Sequence, residues 1–250
     1  MDRNRIFKIS VSPHLREGVD IKRIMYLVII ALLPAMVASV YIFGIGVVYL
    51  LGVCIFVSLI TEYLCQRIRK KKITLYDGSA ILTGILLCLT LPPTFPLWSA
   101  CLGAIVAIII GKQLFGGLGY NIFNPALVGR AFLTASYPAL MTPWIGPSGT
   151  ITAATPLAQY LPKFRTEPVS IALLKAKGIY TNLFLGKVTG CIGETSALAL
   201  IAGGLFLIVT KCIDWRIPVS YFGSVAVISG IFWIAFPNMY PDPLFHLLAG

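Results

Sequence analysis

Two apolar runs, 24–44 and 46–65, are each long enough to cross a bilayer, and they constrain this chain more than anything else in it. At about 1.5 Å per residue, roughly 20 helical residues cover the roughly 30 Å of hydrocarbon. No water lies within lipid to satisfy backbone polar groups, so such runs must be helices rather than open strands. Composition agrees: 58% of the 250 residues are hydrophobic, mean hydropathy is +0.88, and 12% are charged. That charged share is about half the roughly 25% usual in soluble domains. Too little polar surface exists to clothe a water-soluble globule, and intrinsic disorder is excluded more firmly still. The chain reads as an all-α polytopic membrane protein.

Two further runs, 79–91 ending at Pro92-Pro93 and 97–111 ending at Gly111-Lys112, are short for spanning. Gly116-Gly117-Leu118-Gly119-Tyr120-Asn121 follows, then a helix over 125–137. Short segments interrupted by Gly and Pro are what discontinuous helices look like where a membrane protein builds a binding site at depth. The runs 195–213 and 218–236 are full length again, and an eighth helix begins after Pro241-Asp242-Pro243. Pro34 is placed to kink the first span. A cleavable signal peptide fits poorly, because some 20 polar residues precede an apolar run longer than an ordinary signal core.

The formal charge of +11 does not point to nucleic acid, since the basic residues form no stripe interleaved with aromatics. They bunch at Arg3, Arg5, Lys8, Arg16, Lys22 and Arg23, and at Arg67 and Arg69 to Lys72, each group flanking an apolar run. Seven crossings with the amino terminus in the cytoplasm put these two groups inside, together with Lys112, Lys211 and Arg216. Lys163, Arg165, Lys175, Lys177 and Lys187 then lie outside on a long loop, and Arg130 lies within a helix. The six cysteines avoid Cys-x-x-Cys spacing, so they read as buried thiols rather than a disulfide, iron-sulfur or zinc framework. His14 and His246 are too few and too far apart for a bis-His haem.

Asp77-Gly78-Ser79-Ala80-Ile81-Leu82 is echoed by Glu194-Thr195-Ser196-Ala197-Leu198. In both, an acid and a serine open an apolar helix, from opposite membrane sides in this topology, as an inverted repeat would. Helix capping alone accounts for the same residues. Asp77 and Glu194 are also candidates for ion handling.

The loop over 138–194 carries Thr152-Ala153-Ala154-Thr155-Pro156-Leu157-Ala158. Proline directly after Thr155 makes that threonine a helix N-cap, with the amides of Leu157 and Ala158 facing its side chain. Such a helix start also receives anions, so a phosphate esterified to the Thr155 hydroxyl would meet backbone donors. An ordinary capping threonine is the competing reading.

The Thr152–Leu157 pattern, Gly119-Tyr120-Asn121-Ile122-Phe123-Asn124-Pro125-Ala126 before Gly129-Arg130-Ala131-Phe132, and the Asp77-Gly78-Ser79 helix start together resemble the D subunit of the Rnf complex. That complex is an ion-translocating ferredoxin:NAD oxidoreductase. The chain is similar, more distantly, to the B subunit of the sodium-pumping NADH:quinone reductase. The resemblance implies FMN joined by a phosphoester to Thr155, with Thr152, Pro156 and Leu157 in the attachment motif. A separate flavin transferase attaches it on the non-cytoplasmic side. Gly149 and Ala153 depart from the usual transferase motif, which commonly has an acid and a glycine at those places.

The resemblance also implies a urea-transporter-like fold of two inverted five-helix repeats, of which this chain stops about three helices short. The organisation expected is a cytoplasmic segment 1–23, a first membrane repeat 24–137, a flavin-bearing loop 138–194 and the start of a second repeat 195–250. A second, non-covalent flavin (riboflavin or FMN) within the helices is implied too. Asn121, Asn124 and Arg130 are its nominees, because polar groups at membrane depth need partners. The expected role is an electron relay in the cell inner membrane, coupled to Na+ or H+ movement within the Rnf complex and not an enzyme on its own. Gly116-Gly117-x-Gly119 follows a membrane helix and not a strand, so NAD chemistry falls to partners. The competing classes are a non-redox channel or carrier for a small polar solute, and a structural anchor.

Overall fold

The computed structural model describes residues 21–145, 151–152, 179–186, 188–194, 196–237 and 240–249. The two long runs are helices α1 (Ile21–Phe43) and α2 (Gly46–Ile68), joined by a tight reversal in which Gly44 takes φ +81°. Pro34 sits inside an unbroken α1. After α2 the chain turns through a 3-10 segment, Leu75–Asp77, into α3 (Ser79–Leu89). Helix α4 (Leu97–Ile108) runs on without a break into a π-helical turn, Ile109–Gln113. Helix α5 (Pro125–Ser136) follows, then the short α6 (Pro138–Met141). A two-residue antiparallel pairing, β1 (Trp144–Ile145) with β2 (Ile151–Thr152), leads into the long loop. Beyond it come α7 (Ile179–Leu185), α8 (Ala197–Val209), α9 (Arg216–Ala235) and α10 (Pro243–Ala249). The protein is an all-α polytopic membrane protein.

Each run expected from the sequence is a helix, and the ends differ for local reasons. The run 195–213, expected to be full length, gives a 13-residue helix. Thr210 turns its hydroxyl back onto the carbonyls of Phe206 and Leu207, and Lys211 takes φ 55°, so the chain leaves helical geometry there. The run 97–111 extends to Gln113 because the π turn carries it past Gly111. Only α1, α2 and α9 among the described helices have both the length and the apolarity of a full crossing. Tyr41, Val37, Phe56, Val227 and Ile234 point outward at 62–91% exposure, as a lipid-facing belt requires.

Lipid tails are as apolar as leucine, so helices in a bilayer associate through close packing of small residues rather than through a hydrophobic gradient. In α1, Ala31, Ala35 and Ser39 recur every fourth residue and are buried. They face α8, where Ala199 and Gly203 keep the same spacing. In α4, Gly103, Ala107 and Gly111 present a second such stripe to α5. A Cβ on Gly129 would lie 2.7 Å from the Gly103 carbonyl, and one on Gly111 would lie 2.7 Å from Pro125 Cα. Gly84 brings α3 against α2 in the same way, at 2.8 Å from the Cys54 carbonyl.

The helices reverse direction in turn, which gathers Lys22, Arg23, Arg67 and Arg69 to Lys72 at one end of the bundle. The hydrogen bonds from Tyr26 to the Tyr76 carbonyl and from Lys71 to the Gly116 carbonyl tie that end together. At the opposite end Ile192 and Gly193 donate their amides to the Leu91 and Leu89 carbonyls, and α8 starts back from there toward the basic end.

An added Cβ at Gly203 would overlap the Ala31 carbonyl oxygen, whereas one at Gly204 meets nothing. Gly203→Val is therefore expected to destabilise the chain by about 1–3 kcal/mol through overpacking, and Gly204→Val to leave it nearly unchanged. Thermal unfolding in detergent of the two variants side by side checks this.

Candidate functional site

Helix α2 carries polar residues at Ser58, Glu62 and Gln66, one per turn, and all three are buried within the bundle. Facing them is Lys112, only 2% exposed. It lies on the π turn, in which one extra residue per turn allows Gly111, Lys112 and Gln113 to be buried in succession.

The Lys112 ammonium donates to both Glu62 carboxylate oxygens at 2.7 Å, and to Ser79 Oγ at 2.5 Å. Gln66 and Gln113 each donate an amide to Glu62 Oε1 at 3.1 Å. Ser79 in turn donates its hydroxyl to Asp77 Oδ1, which also accepts the Ser79 backbone amide at 2.8 Å. Gln66 goes on to pair with Thr74 in both directions, and Arg69 donates to the Gln113 carbonyl. The cluster thus joins α2, the start of α3 and the π turn in one satisfied network. One turn along α2, the Ser58 hydroxyl is buried with no partner among the described residues.

Two cavities flank this network. One, of about 360 Å³, is lined by Ser79, Thr83, Lys112, Asn121, Asn124 and Phe123, with Leu82 and Leu86 among its apolar walls. The other, of about 610 Å³, opens at the basic end beside Gln66, Asp77 and Gln113.

The structure brings Asn121 and Asn124 together on the smaller cavity. Asn121 donates to the Phe123 carbonyl at 3.1 Å, and Asn124 caps α5 by accepting the Ala126 amide at 3.0 Å. Arg130 is not with them. It reaches the opposite end, where its guanidinium lies 3.6 Å from Cys191 Sγ. Thr155, Pro156 and Leu157 lie outside the described residues, and Thr152 is described only as the last residue of β2.

The acids of the echoed helix starts behave differently. Asp77 caps forward into α3, whereas at α8 the cap is Ser196, which accepts the Ala199 amide at 3.3 Å. Glu194 instead folds back to the Cys191 amide at 3.4 Å. Burial, together with the Glu194 carboxylate, pushes the Cys191 thiol up to about 12, while Arg130 pulls the other way.

Sequence reading did not find Glu62, and it assigned Lys112 to the membrane face with the other basic residues. The signal was present: a carboxylate inside a run that must cross lipid requires a buried partner. A single acid among twenty apolar residues does not interrupt the run, and so it passed unseen.

Residues 8–250 match the model of a family described as NQR2, RnfD, RnfE. The chain is 42% identical to the D subunit of the proton-translocating ferredoxin:NAD(+) oxidoreductase complex of Clostridium ljungdahlii, over 99% of this chain and 76% of that protein. It is 43% identical to the D subunit of the Na(+)-translocating ferredoxin:NAD(+) oxidoreductase complex of Acetobacterium woodii, over 97% of this chain and 72% of that protein. It is 34% identical to the D subunit of the ion-translocating oxidoreductase complex of Yersinia enterocolitica, over 97% of this chain and 78% of that protein.

Removing one partner of a buried ion pair strands the other charge, at a cost of about 3–5 kcal/mol, whereas removing both is nearly neutral. Lys112→Met alone should therefore destabilise the chain by that amount, and Lys112→Met with Glu62→Gln should recover most of the loss, as read by unfolding in detergent. At the other end, Cys191 should alkylate slowly at pH 8 and faster as pH rises toward 12. Glu194→Gln should speed the reaction at fixed pH by lowering the thiol's range, and Arg130→Gln should slow it. Rates of N-ethylmaleimide labelling at Cys191, located by peptide mass, check both signs.

Proposed function

The chain belongs to the NQR2, RnfD, RnfE family, and from that premise we propose that it is the D subunit of an ion-translocating ferredoxin:NAD oxidoreductase complex. In this reading it relays electrons through FMN joined by a phosphoester to Thr155 while the complex moves Na+ or H+. The family match and the relatives' names support the complex and the translocation. The Thr152–Leu157 motif and the anion-receiving helix start expected there support the attachment. The amino terminus is cytoplasmic in this reading, the Thr155 loop is extracytoplasmic, the membrane is the cell inner membrane, and a flavin transferase completes maturation.

The observation that carries the ion-translocating part is the polar file Ser58, Glu62, Gln66 with Lys112, buried among membrane helices. Ionisable groups at membrane depth are costly, and they are kept where ions or protons pass. The Ser58 hydroxyl, without a partner among the described residues, extends that file beyond the ion pair, as a water or cation path would. The two relatives of nearly equal identity are named for different ions, H+ and Na+, so overall likeness favours neither.

The smaller cavity fits a second, non-covalent flavin. Leu82, Leu86 and Phe123 offer apolar walls, and Thr83, Asn121 and Asn124 offer polar groups of the kind that ring carbonyls and nitrogens take. A flavin there would supply the one-electron chemistry, and the protein would supply binding, orientation and charge. The α5 cap at Asn124 would hold the cavity wall in place. Arg130, midway along α5, belongs to the extracytoplasmic side of this scheme and steadies the Cys191 segment.

Covalent attachment is tested on a gel. Chain produced together with its flavin transferase should keep flavin fluorescence after denaturation and washing, and Thr155→Val should abolish it. Fluorescence that persists in the variant would remove Thr155 from the proposal. A colourless wild-type chain would remove the covalent flavin altogether.

A further inference from the structure

The larger cavity, of about 610 Å³, lies outside the proposed electron path and meets the proposed ion path only at Gln66. It opens at the basic end of the bundle, between the first turn of α1, the stretch after α2 and the glycine turn after the π segment. Lys22, Lys71 and Lys72 stand on its wall with the backbone of Gly116 and Gly117. Lys71 spends one donor on the Gly116 carbonyl at 2.9 Å and keeps two. Asp77 is the acid on the wall, and its Oδ1 is engaged by the Ser79 amide and hydroxyl. The outward-facing part of the rim is apolar, with Ile21 56% exposed, Ile73 50% and Tyr76 81%, and Gln66, Thr74 and Gln113 are polar members of the lining.

We propose that this cavity is a binding site for the headgroup of an anionic phospholipid, with the phosphodiester held by Lys71 and Lys72 and the acyl chains leaving over Ile21, Ile73 and Tyr76. A free phosphate would use the lysines but leave the apolar rim without purpose. A zwitterionic lipid would bring its own cation against the Lys71 and Lys72 ammonium groups. Basic pockets between membrane helices, at the level where Lys and Arg cluster, are the setting in which anionic headgroups bind. The position has a consequence for the buried network, because Gln66 and Gln113 line the same cavity and hold Glu62. A seated headgroup closes the mouth over the ion pair.

The test uses the full chain exchanged into nanodiscs of palmitoyl-oleoyl phosphatidylglycerol or phosphatidylcholine and released into native mass spectrometry. Phosphatidylglycerol is expected to stay bound as a discrete adduct, phosphatidylcholine to be lost, and excess inorganic phosphate to displace neither. Lys71→Gln with Lys72→Gln should lower adduct retention by more than about tenfold. Lys211→Gln with Arg216→Gln removes equal charge elsewhere and should leave retention unchanged.

Equal retention of the two lipids, displacement by phosphate, or an equal loss in the control pair would overturn the proposal. On the wild-type chain, a phosphatidylglycerol with a photoreactive headgroup should crosslink to peptides covering 69–76 or 113–118. Crosslinks found only elsewhere would overturn it without reliance on any variant. None of these readouts depends on a flavin being present.

Discussion

The contact between Lys112 and Glu62 is the interaction on which the interior depends. Two opposite charges, at 2% and 1% exposure, are set among membrane helices and brought to 2.7 Å. Each removes the other's desolvation penalty only if the geometry is good and the remaining donors and lone pairs are used. That condition is met by residues from three elements: Gln66 on α2, Ser79 at the head of α3 and Gln113 on the π turn. The pair thereby fixes where α3 begins and how α4 ends. Lys112 and Gln113, both on the π turn, are buried together against Glu62 of α2.

Around this charged centre the packing is made by small residues. Gly103, Ala107 and Gly111 let α5 lie directly on α4, and Gly129 and Pro125 complete the fit from the other side. The function of that closeness is positional. Pro125 seated on Gly111 places Asn124, the cap of α5, one residue from the contact and on the same cavity as Lys112. Packing by glycine thus becomes the placement of a polar wall. The same device, with Gly203 on Ala31, returns α8 alongside α1.

Much of the fold was legible in the sequence because the bilayer permits so few solutions. Lengths of apolar runs, proline and glycine breaks and basic clusters located the helices named from them among the described residues, and the helix start expected at Thr155-Pro156 lies outside those residues. What escaped was set by side-chain pairing rather than by hydropathy. The stop at Val209 comes from Thr210 and Lys211, and the extension to Gln113 comes from the buried lysine. In the site, Asn121 and Asn124 were legible through their motif and share one cavity, while Arg130, six residues and about 9 Å of helix beyond Asn124, leaves that cavity and reaches Cys191. Glu62 and Lys112 are fifty residues apart, and nothing local in either stretch names the other. Only the rule that a charge in lipid needs a counter-charge could have joined them.

The most direct test of this account is a distance in lipid. Solid-state NMR recoupling between the Lys112 side-chain nitrogen, labelled with 15N, and the Glu62 carboxyl carbon, labelled with 13C, reads the ion pair itself in bilayers. Strong transfer, as direct contact at 2.7 Å between nitrogen and oxygen demands, is the result expected. No transfer, with the Lys112 amine exchanging freely with bulk water, would contradict the buried charge centre and the site built around it.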